Sequence, residues 1–153
     1  MIKKTVTGEE PVSVVQAKEH LRVDYDSHDT YIGELIMAAR GAIEKYLGVS
    51  IVESEVEVDI SPWPPHRLPY GPVKEISSYK VDGTEATPPS DEVIKTGGRI
   101  EATYTTGYTD VPPEIKHAIK VLVKKWYDSE EISTAVPHEI KMMIEPHNRN
   151  LFI

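Results

Sequence analysis

The sequence predicts an α+β fold: a helical core of three to four helices with a small antiparallel β-sheet inserted in its middle. Three observations predict it. Apolar residues recur at helical spacing near both ends of the chain. Between them the period falls to two, with valines and isoleucines alternating against carboxylates. And 7 of the 12 prolines fall within residues 49–108, the stretch where helix is least expected. With 153 residues the chain is long enough for one domain: helical segments at 11–48 and 111–146, a β insertion at 49–108 and a tail at 147–153.

Taken in order, residues 1–48 read as helical. Ser13 is placed to cap a short helix, Gln16 to reach back to it, and Val12 to pack against Ala17, so a helix is expected from Ser13 to about Arg22. The polar break Asp24-Tyr25-Asp26-Ser27-His28-Asp29 ends in carboxylates that suit the next helix N-terminus. Ile32, Leu35, Ile36, Ala39, Ile43 and Leu47 then form one apolar stripe, stopped by Gly48. From Ile51 to Ile60, Val52, Val56, Val58 and Ile60 share one face of a strand, and Glu53, Glu55, Glu57 and Asp59 share the other. Pro62 to Pro72 is a connection carrying Trp63, His66, Arg67 and Tyr70. Val73–Val81 reads as a strand, Asp82-Gly83 as its hairpin turn into Thr84–Thr87, and Gly97-Gly98 as the turn into a last strand over Arg99–Tyr108. Pro113 fits the first position of a helix whose stripe is Ile115, Ile119, Leu122 and Trp126. A shorter helix follows from about Pro137 to Glu145, ending near Pro146.

Composition excludes several classes. The absence of cysteine removes disulfides, a thiolate nucleophile and Cys-based zinc sites. No stretch has the roughly 20 apolar residues that a bilayer-spanning helix needs, and no apolar run follows Lys3-Lys4 as a secretory signal requires. No membrane partner is expected. A net charge of −8 and no evident Lys/Arg cluster argue against a DNA-binding regulator, because phosphate binding works by counterion displacement.

Chemical motifs are begun and not completed. His138-Glu139-Ile140-Lys141-Met142 puts Met where a zinc motif needs its second His, one turn on. Asp24-x-Asp26 with Asp29 opens like a calcium loop, but positions six and twelve hold Asp29 and Leu35 instead of Gly and Glu. Gly48-Val49-Ser50 lacks the second Gly and the preceding strand of a nucleophile elbow. Gly97-Gly98 has no following helix to cradle phosphate. No catalytic residue, metal or cofactor is therefore expected, and a hydrolase would need His66, His117 or His138 brought together from afar.

Three blocks, in this order and spacing, resemble the phage head–tail connector (head-completion) proteins. They are Pro11-Val12-Ser13-Val14-Val15-Gln16-Ala17-Lys18-Glu19-His20-Leu21-Arg22-Val23-Asp24, then Ile36 to Gly48, then Tyr104-Thr105-Thr106-Gly107-Tyr108 with Val111 to Ile119 and Lys125-Trp126-Tyr127. The end departs from the family: Asn148-Arg149 stands where a Tyr-Arg pair is often found. The resemblance implies a structural virion protein of the head–tail junction, made in the bacterial host cytoplasm, with no enzymatic activity. It implies a ring of identical subunits beneath the portal, with a stopper or tail-completion protein below. DNA would pass through the lumen without sequence-specific binding. A non-viral interaction module shares the same physics and differs only in partner.

Candidate site residues follow from both lines of reasoning. Trp63 among prolines, Tyr127 beside the core residue Trp126, and the apolar tail Leu151, Phe152 and Ile153 are candidates for a partner or subunit interface. The acidic face Glu53, Glu55, Glu57 and Asp59 is a candidate for the lumen or for solvent, its plainer reading being the wet side of an edge strand.

Overall fold

In the computed structural model, which describes residues 1–133 and 135–150, the chain is α+β, with four helices, a five-stranded antiparallel sheet and a two-stranded one. It divides into two compact units, one helical and one built on the sheets.

The helical unit takes residues 10–47 and 110–148. Its helices are α1 (Val14–Leu21), α2 (Asp29–Leu47), α3 (Pro113–Ser129) and α4 (His138–Ile144), with a 3₁₀ turn over Glu145–His147. The local chemistry is what the sequence announces. The Ser13 side chain accepts from the Gln16 amide at 3.2 Å, and the Gln16 side chain accepts from the Ser13 amide at 3.1 Å. Gly48 follows α2 at φ +67°, a conformation that L side chains resist. Pro113 opens α3. The core gathers Ile32, Leu35, Ile36, Ile43 and Leu47 from α2, Ile115, Ile119, Leu122 and Trp126 from α3, and Ile140 and Ile144 from α4, all buried. One charged cluster is buried with them: Arg40 donates to Glu10 at 2.7 Å and to Glu44 at 2.9 Å, satisfying two donors of a guanidinium that burial would otherwise penalise.

The sheet unit takes residues 1–9 and 48–109, with Arg149 and Asn150. Its strands are β1 (Ile2–Val6), β2 (Ser54–Ile60), β3 (His66–Arg67), β4 (Val73–Val81), β5 (Thr84–Glu85), β6 (Val93–Ile94) and β7 (Ile100–Thr106). The larger sheet runs β1-β2-β7-β4-β5, and β3 pairs with β6 apart from it. The β4–β5 hairpin turns through Asp82 and Gly83, both at positive φ, as a two-residue turn matched to strand twist requires. At Gly107 a Cβ would lie 2.6 Å from the Val52 carbonyl oxygen, so a side chain there would drive β7 away from its neighbour. Val56, Val58, Tyr79, Ile100, Ala102 and Tyr104 bury one face under Leu68 and Ile94. The Tyr104 hydroxyl donates to the Pro69 carbonyl at 3.0 Å, and burial pushes its pKa well up.

Two expectations need correction. Residues 1–48 are not wholly helical: Ile2–Val6 is a strand, paired with β2 from Ile2↔Val58 to Val6↔Ser54. Lys3 and Lys4 side by side hide the alternation, because one of them lies on each face. The same pairing removes the edge-strand reading of the acidic face, since β2 sits between β1 and β7. β3 and β6, two residues each, fall below the length at which a period can be read.

Candidate functional site

The acidic face on β2 is outward, as the alternation requires: Glu53 and Glu55 are exposed, Glu57 and Asp59 half-exposed. Its carboxylates are mostly paired. Arg99 bonds both oxygens of Asp59 at 2.8 and 2.7 Å and lies 3.3 Å from Glu101. This holds the Asp59 carboxyl below its usual range. Lys74 meets Glu53 at 2.8 Å, and Lys3 approaches Glu57 at 3.8 Å. A patch that looks like four stacked negative charges in sequence is thus a mixed lattice in which exposed pairs contribute little stability.

Trp63 is 91% exposed, the most exposed of the large apolar side chains among the described residues. It lies in the connection between β2 and β3, which includes the cis bond Pro64–Pro65. Solvent exposure of an indole gains nothing for folding. Tyr127, by contrast, is half-buried and engaged within the helical unit. Its hydroxyl lies 3.0 Å from the Tyr25 hydroxyl and 2.8 Å from His28 Nδ1, with the Tyr31 ring 6.1 Å away. The bond to Tyr25, followed by desolvation, pushes its pKa up to about 12. Leu151, Phe152 and Ile153 lie outside the described residues.

Residues outside the candidate interface and the acidic face complete the inventory. Arg149 forms an ion pair with Glu92, whose other oxygen accepts from the Val73 amide at 2.7 Å. The Arg149 guanidinium packs where a Cβ at Gly71 would have to be. Arg149, the member of the Asn148-Arg149 pair that matches the resembled family, thus ties this part of the chain into the sheet unit. On α3, Lys116, Lys120 and Lys124 recur at i, i+4 and i+8, and His117 meets His20 of α1 edge-on, with ring centroids 5.9 Å apart. Among the described residues no group of three or more His, Asp or Glu side chains is arranged to hold a metal ion. Two shallow depressions are lined by Val15, Lys18, Glu19, Arg22, Val23 and Asp24 and by Glu57, Asp59, Ser78, Lys80, Glu101 and their neighbours. No described helix is long and apolar enough to cross a membrane.

The model of the phage gp6-like head-tail connector protein family matches residues 12–145. The chain belongs to that family. The connector is therefore a structural protein and not an enzyme, and the hydrolase and non-viral readings fall away. Solved structures share its fold, among them the following two. A chain in the neck of an empty gene transfer agent (GTA) particle computed with C6 symmetry is 20% identical, with a TM-score of 0.67. A chain in the virion of a native GTA particle is 19% identical, with a TM-score of 0.73. Each match covers 97% of this chain and 95% of the other. No curated protein sequence matches the connector.

Proposed function

We propose that the connector works as a closed ring of identical subunits at the head–tail junction of a phage or prophage particle. In this reading the ring sits beneath the portal, receives a stopper or tail-completion protein below, and lets DNA pass without sequence-specific binding. The subunit is made in the host cytoplasm and assembles when the portal presents a template. The observation that carries the reading is the family match over most of the chain. The sixfold symmetry of the neck in which a chain of this fold was found supports ring closure.

The outward face of β2 suits the lumen because its charges are paired and its excess is negative, so phosphates find no strong hold there. Trp63 suits an interface with another virion protein, since an exposed aromatic anchor seats well in a partner's pocket. Tyr127 and the tail Leu151, Phe152 and Ile153 are further interface positions in this reading.

Mixing the purified connector with a portal ring tests it. Electron microscopy and mass measurement should show a ring of connector subunits stacked on the portal. A connector that stays monomeric and unbound at tens of micromolar refutes the reading. Trp63→Ala should leave folding intact and reduce binding to one of the two neighbouring virion proteins.

A further inference from the structure

A ring closes head to tail only if one chain carries two different surfaces that fit each other. The helical unit carries two such surfaces, of opposite charge. One is a basic ridge. Lys116, Lys120 and Lys124 follow one line along α3, flanked by His117 and by His20 from α1. His20 is held below its usual pKa by desolvation, then by His117, Lys120 and Lys124, and no carboxylate counters them there. Lys124 reaches Asp128 at 3.0 Å, but among the described residues neither Lys116 nor Lys120 is held in an ion pair. The other surface is the end of the same helix. Glu130 and Glu131 lie exposed there beside Asp128, which is paired with Lys124, and Tyr127 binds the α1–α2 loop through Tyr25; in that loop Asp26 is held by Lys18 at 2.7 Å. Tyr25 and Ile132 are about half exposed beside them.

Neither surface is explained by folding. Lysines at i and i+4 repel each other along a helix. Carboxylates in a last turn oppose the helix dipole, and α3 has no basic residue in its last turn. Glu130 closes α3 at φ +55°, a left-handed position that glycine fills at least strain. Choices that each oppose local stability, gathered on one helix, point to a demand from outside the fold.

We propose that the tyrosine–carboxylate end of α3 in one connector docks on the lysine–histidine ridge of α3 in the next copy. This rests on the ring reading above and names its contact. The occupant of the ridge is a second copy because the matching surface, acidic with exposed tyrosine for ammonium groups to stack on, is carried by the same chain. Lys116 and Lys120 of the ridge lie ten or more residues before Glu130 of the acidic end, about 15 Å or more at a rise of 1.5 Å per residue, with the Lys124–Asp128 pair between them. A chain can therefore bind one neighbour with each.

The test uses two full-length variants, Lys116→Glu with Lys120→Glu, and Glu130→Lys with Glu131→Lys. Both should keep the wild-type circular dichroism spectrum. Assembly on a portal ring is read by mass and by electron microscopy. Each variant alone should need at least about tenfold more protein than wild type to assemble. An equimolar mixture should assemble again, because reversed ridge then meets reversed end; a merely misfolded variant could not be rescued in this way. Variants that assemble like wild type overturn the docking and leave the ring reading standing. So does a ridge variant that assembles normally but loses affinity for duplex DNA, which would make the ridge a phosphate contact. A wild-type connector that never assembles overturns both.

Discussion

The two units of the connector differ in where their charges are left unpaired. In the sheet unit, outward carboxylates have cations within reach on neighbouring strands: Asp59 with Arg99, Glu57 with Lys3, Glu53 with Lys74. In the helical unit Arg40 is paired inside with Glu10 and Glu44, and at the surface Lys18 pairs with Asp26 and Asp29, Lys124 with Asp128 and Lys125 with Glu139. Lys116 and Lys120 of α3, and Glu130 and Glu131 after it, form no ion pair among the described residues. Exposed pairs stabilise little, so the sheet unit's lattice is best understood as keeping that face wet and unattractive to other sheets. Unpaired charges placed against helix preference keep their interaction energy for something outside the unit. The difference teaches that a charge's partner, more than its count, separates a solvated face from a docking face.

Perturbing each unit where its order is concentrated sharpens the comparison. The largest effect is expected at Arg40. Arg40→Ala leaves Glu10 and the buried Glu44 without their cation and should destabilise the helical unit by about 3–5 kcal/mol in chemical denaturation. Arg40→Met combined with Glu44→Leu should recover much of that loss; an equally large loss in the double variant would show that shape and not charge is at stake.

In the sheet unit the matching change is Tyr104→Phe, which removes the hydroxyl bonded to the Pro69 carbonyl and should cost about 1–2 kcal/mol. Hydrogen exchange should quicken in β7 and β4 and stay unchanged in α2. Quickening spread evenly over α2 and α3 as well would break the division into two separately ordered units.

Ser13→Ala removes one half of the capping box and should destabilise α1 by about 1 kcal/mol, visible as faster exchange at the amide of Gln16.

The smallest effect concerns pH. His20 has its pKa depressed in the folded chain, so folding favours its neutral form. That contribution is present above about pH 6.5, the unfolded value, and is lost as pH falls through the folded value. Thermal unfolding should show the helical unit weakening below pH 6.5, and His20→Gln should flatten this dependence. An unchanged slope would mean that neither burial nor His117, Lys120 and Lys124 acts on it.

Much of the architecture was legible because it depends on near neighbours. The apolar stripe on α2, the Ser13–Gln16 box, Pro113 and the Asp82-Gly83 turn each involve residues within a few positions, where spacing alone determines which side chains meet. Trp126 was likewise readable as core from its place on the α3 stripe. What stayed hidden joins distant residues. The partner of β1 lies some fifty positions away, β3 meets β6 across a long loop, and Arg149 meets Glu92 from the chain's end. The candidate sites divide along the same line. The lysine spacing of the α3 ridge is written in the sequence, but His20 joins it only by the packing of α1 against α3.

By itself the sequence determined the four helices and the longer strands β2, β4 and β7, which face of each is apolar, and that no metal or nucleophile motif is completed, because those properties follow from local periodicity and residue chemistry. Only the tertiary structure decided that β2 is an interior strand, that its carboxylates are matched by cations from β1, β4 and β7 or the turn before it, and that Tyr127 is tied to Tyr25 and His28. Strand order and charge pairing are set by contacts between residues far apart in the chain, and such contacts leave no period to read.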